Sequence, residues 1–234
     1  MQKILLLLVC VAQGSNIRQR DSRELSWWNF WKKPSCEKVT PLGELDLTKW
    51  TEKSWYIHEQ QTNGYQSADQ LFCVTATYGY DPKDEYIRVD NYGNNGEVNG
   101  PPQVSGGNAF SDLCAKQKAG GDLLVSPCFF SNLGIFDWVA GPYWVLAAGE
   151  NYEWAIVSGG QPKEEKPNGT CTTKQGTGWA NINGSGLWLF TREPERNEAF
   201  VEMMKAKLDE MKIFTGDLLK VEQEGCNYEG ATLK

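Results

Sequence analysis

Cysteines are the residues of this chain with the clearest chemistry. Seven occur, at positions 10, 36, 73, 114, 128, 171 and 226. No two of them are spaced as Cys-x-x-Cys, which argues against a zinc ribbon or a thioredoxin-like redox motif. If Cys10 leaves with an amino-terminal signal segment, an even set of six remains, and an oxidising secretory route would join them in three disulfides. Spacing alone does not choose among the possible pairings.

Few other groups could take part in catalysis. His58 is the only histidine, so neither a His-rich zinc site nor a multi-histidine redox centre is predicted. In an alternating strand pattern His58 faces away from Ile57 and Glu59, and we expect it at the surface. Glu59 could bind a ligand amine, but we expect it at the rim of the fold, in water.

The acidic residues predict a solvated surface. The chain has 30 acidic and 23 basic residues, a net charge of −7 and no cluster of lysines and arginines. Nucleic acid is therefore not an expected partner, since neutralising phosphates supplies most of that affinity. Asp81, Asp84 and Glu85 lie in one turn, where we expect a solvated cluster, with weak Ca²⁺ binding as the alternative.

The amino terminus has the pattern of a signal peptide. Lys3 precedes an apolar run from Ile4 to Val11, and cleavage is expected after Gly14. Residues 1–14 are thus a predicted signal peptide and residues 15–35 an extension, followed by one domain over 36–234. The extension ends with an aromatic cluster, Trp27 to Trp31, next to two lysines. We expect a secreted protein, with retention or a plastid destination as alternatives that depend on the cell.

Period-two alternation and turn residues predict eight short strands. They cover residues 55–61, 71–80, 85–92, 110–118, 122–130, 143–148, 151–158 and 186–192. An antiparallel meander of this size closes readily, which removes its exposed edges. A helix with one apolar face is predicted to follow, with Pro194 in its first turn and Gly216 after its end. The predicted fold is all-β, an eight-stranded antiparallel up-and-down barrel with a C-terminal α-helix.

Three motifs in this order resemble those of the lipocalin family, most closely its apolipoprotein D and bacterial branch. The first is Trp55-Tyr56, with Lys53 where the family has glycine. The second is the segment from Tyr143 to Ala147 followed by Asn151-Tyr152, with Asn151 where an acid is usual. The third is Trp188-Leu-Phe190-Thr-Arg192, just before the helix. The resemblance covers roughly residues 36–228 and implies a barrel that encloses a ligand.

The resemblance also implies roles for particular residues. Trp55 and Arg192 would stack at the barrel floor, a contact worth ~1–2 kcal/mol when desolvated. The disulfides would be Cys36–Cys171, Cys73–Cys226 and Cys114–Cys128. With Arg192 inward and Cys73 outward, strand alternation directs a set of mostly apolar side chains into the barrel. The ligand-lining residues so predicted are Ile57, Val74, Ala76, Tyr78, Trp188 and Phe190, and the alternative is a barrel that its own side chains fill, with no cavity.

Three functions are consistent with these features. The first is a secreted carrier of a small hydrophobic ligand: a lipid, fatty acid, sterol, retinoid, carotenoid or tetrapyrrole. The second is a lipocalin-type enzyme acting on a lipid or xanthophyll, which would need a free thiol. The third is contact with a membrane surface or a protein through Trp27 to Trp31, with a strap packed against the barrel as the alternative for this segment. No cofactor, metal or catalytic residue is predicted, and Asn168 and Asn183 are glycosylation sequons.

Overall fold

A computed structural model describes residues 36–104 and 111–234. The predicted signal peptide 1–14 and the extension 15–35, with Trp27 and Trp31, lie outside the described residues. So does Phe110, the first residue of the predicted strand 110–118.

Eight strands form the closed barrel that the sequence predicts. Each is antiparallel to its neighbours, and the first pairs with the last to close the ring. They are β1 Trp55–Gln60, β2 Phe72–Gly79, β3 Ile87–Asn94, β5 Leu113–Ala119, β6 Asp122–Pro127, β7 Gly141–Ala148, β8 Trp154–Ser158 and β11 Leu187–Thr191. Because every barrel strand has two partners, closure leaves none of them at an edge.

Four short strands lie beside the barrel. β4 Pro102–Val104 pairs with β3, and β12 Leu219–Lys220 pairs with β1. β9 Glu164–Glu165 and β10 Cys171–Thr172 pair with each other inside the long connection between β8 and β11. That connection is the Gly-rich stretch that carries both sequons.

The main helix follows β11, as predicted, but begins later. The α-helices are α1 Leu47–Trp50, α2 Phe129–Asn132, α3 Phe136–Val139 and α4 Glu198–Glu210. Pro194 is not in the first turn of α4, because the Asn197 side chain caps the helix by accepting from the Phe200 amide. Within residues 36–104 and 111–234, no helix is long and apolar enough to cross a membrane.

Two apolar clusters lie on the two faces of the barrel wall. Inside, one cluster includes Trp55, Tyr78 and Trp188. Outside, Ile156 and Leu189 pack against Val201, Met204 and Leu208 of α4. The helix therefore covers one side of the barrel. The apolar face of α4 packs against that side, as the helical spacing of its apolar residues predicts.

Two predictions about β1 are wrong: His58 faces outward as expected but is covered by the chain after β11, and a β-bulge moves Glu59 to the outer face. The register with β11 shifts between Ile57 and Glu59, and the extra residue breaks the alternation of side chains. His58, expected at the surface, is fully buried on the outer side of the wall, where Nε2 lies 2.8 Å from Thr191 Oγ1. Glu59, expected in water at the rim, is buried too, and its carboxylate pairs with Arg196 at 2.6 Å.

Three disulfides fasten the connections to the barrel. They join Cys36 to Cys171, Cys73 to Cys226 and Cys114 to Cys128, the pairs that the resemblance implies. The first ties the segment before the barrel to the long connection. The second ties β2 to the carboxyl-terminal tail, and the third ties β5 to the segment after β6. All six cysteines of the described residues are therefore oxidised.

Candidate functional site

The meander topology gives the barrel two different ends. The connections β1–β2, β3–β5, β6–β7 and β8–β11 meet at one end, and the other three meet at the opposite end. Helix α1 packs into the second end, with Trp50 and Trp55 fully buried and their rings 4.6 Å apart. Phe190 lies 5.8 Å from Trp55 and completes an aromatic floor. This end is closed, so a ligand would enter from the end with the long connections.

Arg192 seals the floor, as the sequence predicts. Its guanidinium carbon lies 3.5 Å from the centre of the Trp55 ring. Its nitrogens donate to the backbone carbonyls of Lys49, Trp50, Lys53, Ser54 and Tyr152. Burial lowers the pKa of Arg192 to about 10, so the side chain still carries its charge at neutral pH. Lys53, which stands where the family has glycine, takes part through its backbone carbonyl.

The inner face of the barrel carries no charge on any described strand. Strand pairing places opposite residues on the same face, and the apolar interior cluster fixes which face is inside. Five of the inner positions are glycine or carry an uncharged polar side chain: Gln60, Asn91, Gly93, Gln117 and Gly141. The others are apolar or aromatic and include Trp55, Ile57, Val74, Ala76, Tyr78, Ile87, Val89, Leu113, Ala115, Leu123, Val125, Pro127, Tyr143, Val145, Ala148, Ala155, Val157, Trp188 and Phe190.

Two inner-face tyrosines meet across the barrel. The Tyr78 and Tyr143 hydroxyl oxygens lie 2.6 Å apart, at hydrogen-bonding distance. Tyr78 is buried, whereas Tyr143 is half-buried and stacks on Trp188 with ring centres 6.4 Å apart. Burial raises the pKa of both phenols above the usual value, so both stay neutral. The tyrosine pair lies above the aromatic floor and marks the lower limit of any ligand space.

Tyr65 lies in the β1–β2 connection, at the open end of the barrel. Its side chain is 56% exposed, yet surrounding protein raises the pKa of its phenol to about 12. Its phenol also raises the pKa of Tyr78 and Tyr143 by electrostatic interaction. Inside the barrel, the inner-facing side chains of Leu113, Val125 and Tyr143 are only half-buried, so the interior keeps accessible space beside them.

The backbone around Tyr65 is firmly held. Asn63 is buried, and its side-chain oxygen accepts from the amides of Tyr65 at 3.1 Å and Gln66 at 2.9 Å. Gly64 donates to Ser185 Oγ at 3.2 Å, and its carbonyl accepts from Gly178 at 3.0 Å. A side chain at Gly64 would meet the backbone of residue 181 at 2.5 Å, so only glycine permits this approach. The β8–β11 connection thus fixes the loop that carries Tyr65.

The predicted lining residues all face inward, at two levels. Phe190 belongs to the aromatic floor, since it lies within 6.4 Å of both Trp50 and Trp55. Tyr78 and Trp188 lie at the level of the tyrosine pair. Ile57, Val74 and Ala76 complete the buried inner cluster.

Tyr65 and Tyr143 were missed as ligand candidates from the sequence. Tyr143 carried a usable signal, because it alternates with Val145 in a strand segment. Tyr65 carried none, since loop residues follow no period.

The open end has an apolar rim. In the β6–β7 connection, Phe129, Leu133, Ile135 and Trp138 are exposed, Trp138 at 93%. Asn183 of the β8–β11 connection donates to the Val139 carbonyl at 3.3 Å and joins the two connections. An apolar molecule would meet this rim first on its way into the barrel.

Charged side chains line the surface clefts of the described residues. A cleft of about 640 Å³ outside the closed end has both acids and bases in its walls, including Glu153, Glu193 and Arg196. Such a lining suits water and ions better than an apolar molecule. Glu85 of the acidic turn pairs with Lys116 at 2.8 Å, and no described group of three metal-ligating side chains could hold an ion, so the Ca²⁺ alternative loses its basis.

The fold is that of lipocalins. No protein-family model matches the chain, and no curated protein matches it in sequence. Apocrustacyanin C1 superposes with a TM-score of 0.51 at 14% identity, over 79% of this chain and 83% of that one. Lobster apocrustacyanin A1 superposes with a TM-score of 0.50 at 15% identity, over 86% of this chain and 98% of that one. The cockroach allergen Per a 4 superposes with a TM-score of 0.50 at 14% identity, over 83% of this chain and 97% of that one. Identities this low show a shared fold, and the apolipoprotein D branch stays a prediction.

Proposed function

We propose that this protein binds a small hydrophobic molecule inside its barrel and carries it. One observation supports this above all: the inner face is uncharged and aromatic-rich, and Leu113, Val125 and Tyr143 on it keep accessible surface inside the closed barrel. Binding pockets for small molecules are typically concave and mostly apolar, with a few polar groups that orient the ligand. The resemblance to lipocalins, and the fold that the chain shares with them, support the same function.

The proposed site combines predicted and newly found residues. Val74, Ala76 and Trp188 would contribute apolar wall, with Ile57 and Phe190 beneath them. Tyr78, Tyr143 and Tyr65 would contribute polar atoms at the lower limit and at the mouth.

We also infer an extracellular location. The three disulfides suggest folding in an oxidising compartment, which agrees with the predicted signal peptide 1–14. The side chains of Asn168 and Asn183 are exposed, so glycosylation at both sequons remains part of the proposal.

The alternatives have less support from the described residues. A cavity thiol has no candidate there, because all six cysteines are in disulfides. His58 lies on the outer side of the wall, away from the inner-face cluster. The contact through Trp27 to Trp31 stays a prediction outside the described residues.

Native mass spectrometry of the secreted protein, with organic extraction of what co-purifies, tests the carrier function. A stoichiometric apolar molecule is the expected result. For an empty barrel, the test is tryptophan quenching by a panel of lipids and pigments, in the wild type and in two variants. Quenching should weaken in Trp188→Phe and persist in Trp138→Phe, whose side chain is exposed at the rim. No bound molecule and no quenching by any of the panel would overturn the proposal.

A further inference from the structure

We infer that the hydroxyl pair of Tyr78 and Tyr143 recognises the terminal oxygen of an uncharged ligand, such as an alcohol or a carbonyl group. The inference rests on the proposed carrier function and narrows its ligand class. It separates neutral apolar molecules with one polar end from fatty acids and other carboxylates. The reasons are the hydrogen-bond capacity of the pair and the absence of charge around it.

One of the two hydroxyl hydrogens of the tyrosine pair has no acceptor among the described residues. Each phenol has one O–H and can also accept. Between Tyr78 and Tyr143 one hydroxyl donates and the other accepts at 2.6 Å. The accepting hydroxyl keeps its own hydrogen, for which the described residues provide no acceptor. Buried donors without a partner are rare and costly, so a ligand oxygen that accepts from this hydroxyl completes the arrangement.

The position of the pair suits the end of an elongated molecule. The aromatic floor lies below it, since the Trp50 ring is 5.8 Å from that of Tyr78. Tyr65 belongs to the β1–β2 connection, at the open end of the barrel. A molecule that enters at the mouth would therefore reach the pair with its leading end, while its body contacts Trp188 and the apolar wall.

The surroundings select against a carboxylate. Every inner-face position of the described barrel strands is uncharged, and a buried ion without a partner is strongly disfavoured. Arg192 is the cation that interacts with Tyr78. Its guanidinium stacks on Trp55 at the floor and is committed to backbone carbonyls, so it is not available to a ligand. The neutral phenols donate hydrogen bonds but supply no positive charge.

Three retinoid probes with the same chain and different ends test the inference. They are retinol, retinoate and the hydrocarbon that lacks the terminal oxygen, with affinity measured by quenching of protein fluorescence near neutral pH. We expect retinol to bind wild-type protein about 3- to 10-fold more tightly than the hydrocarbon, the usual value of one net hydrogen bond. Retinoate should bind at least about 10-fold more weakly than retinol.

The double variant Tyr78→Phe/Tyr143→Phe removes both hydroxyls, whereas either single substitution leaves one hydroxyl that can still donate to a ligand oxygen. The affinity of the double variant for retinol should fall to that for the hydrocarbon, while the hydrocarbon itself binds as before. Tyr56→Phe makes the same chemical change on the outer face, where Tyr56 contacts Tyr228, and should leave all three affinities unchanged. The urea midpoint of each variant shows whether it is folded.

The outcomes separate this inference from the carrier function. Three probes that bind wild type equally, with no effect of the double substitution, would overturn the polar recognition and leave the carrier function standing. Tighter binding of retinoate than of retinol would overturn it as well. If neither the probes nor a neutral hydrophobic dye bind folded wild-type protein, the carrier function fails and this inference fails with it.

Discussion

The hydroxyl oxygens of Tyr78 and Tyr143 lie 2.6 Å apart although three barrel strands separate β2 from β7 on each side. The two residues thus come from opposite walls and meet near the axis. The interior of an eight-stranded barrel is only wide enough for side chains to fill it or to hold one small ligand. Two large side chains can therefore bridge it, and this bridge lies between the aromatic floor and the open end.

A double-mutant cycle on this pair should show strong non-additivity. Tyr78→Phe and Tyr143→Phe should each lower the free energy of unfolding by about 1–2 kcal/mol, because each leaves one buried hydroxyl without its partner. The double variant should lose less than the sum, since it leaves neither hydroxyl behind. Urea unfolding measures all four proteins. Additive losses would mean that the two hydroxyls do not interact in solution.

Tyr65, Tyr78 and Tyr143 should ionise only at a pH above the usual tyrosine pKa of about 10. Burial raises the pKa of Tyr65 to about 12, and those of Tyr78 and Tyr143 also lie above the usual value. A phenol with a raised pKa in the folded state stabilises the protein below its unfolded pKa of about 10, and that stability is lost as pH rises further. We expect phenolate absorbance to show a late component near pH 12 that is smaller in Tyr65→Phe. Titration of every tyrosine near pH 10 in the folded protein would contradict the enclosure of Tyr65.

Arg192 should be irreplaceable by lysine. Its planar guanidinium donates to several backbone carbonyls while it covers the Trp55 ring. A lysine ammonium has neither that shape nor that many donors. Arg192→Lys should lower the free energy of unfolding by about 2–4 kcal/mol in urea. Arg88→Lys is the matched control, because the Arg88 side chain is 62% exposed and pairs with Asp112 at the surface. It should change stability by less than about 0.5 kcal/mol, and equal effects of the two substitutions would refute the sealing role.

His58 should make the fold sensitive to mild acid. Its Nε2 faces the oxygens of Thr191 and Glu193, and its Nδ1 is buried without a partner among the described residues. Burial is the main cause that lowers its pKa. Arg196 lowers it further, whereas Glu198, Glu59 and the Glu193 carbonyl act against the shift.

Because the folded state resists protonation of His58, stability should be lost as pH falls below the unfolded pKa of about 6.5. His58→Gln cannot titrate and should show a flatter profile of unfolding free energy between about pH 7 and 5. His58 is the only histidine, so no second imidazole complicates the comparison. Parallel profiles for the two proteins would show that His58 is not responsible.

The barrel could be predicted from the sequence because its signals are local. Alternation along β11 places Trp188 and Phe190 inside and Leu189 outside, as the structure confirms. Turn residues mark the hairpin at Gly120 and Gly121, where Gly120 has φ +50° and packs against the backbone of residues 42 and 43.

Two features of the site could not be predicted in this way. The bulge at His58 inserts one residue into an alternating pattern, and only the partner strand reveals it. The place of Tyr65 depends on contacts of its loop with a connection more than a hundred residues later in the chain, and no local pattern encodes such contacts. The candidate position that sequence reasoning missed altogether is thus the one that is set by tertiary structure alone.

Gly64→Ala tests whether that tertiary contact positions Tyr65. The new methyl group would lie 2.5 Å from the backbone of Asn181 and Ile182, and overpacking of this kind costs about 1–3 kcal/mol. The loop can relieve the clash only by moving away from the β8–β11 connection, which would carry Tyr65 toward solvent. We therefore expect the late component of the phenolate titration to shift toward about pH 10 and retinol to bind more weakly. Gly43→Ala is the control, because nothing lies within 4 Å of a methyl group there, and it should change neither property. A Gly64→Ala protein with wild-type titration and affinity would show that Tyr65 keeps its place without this contact.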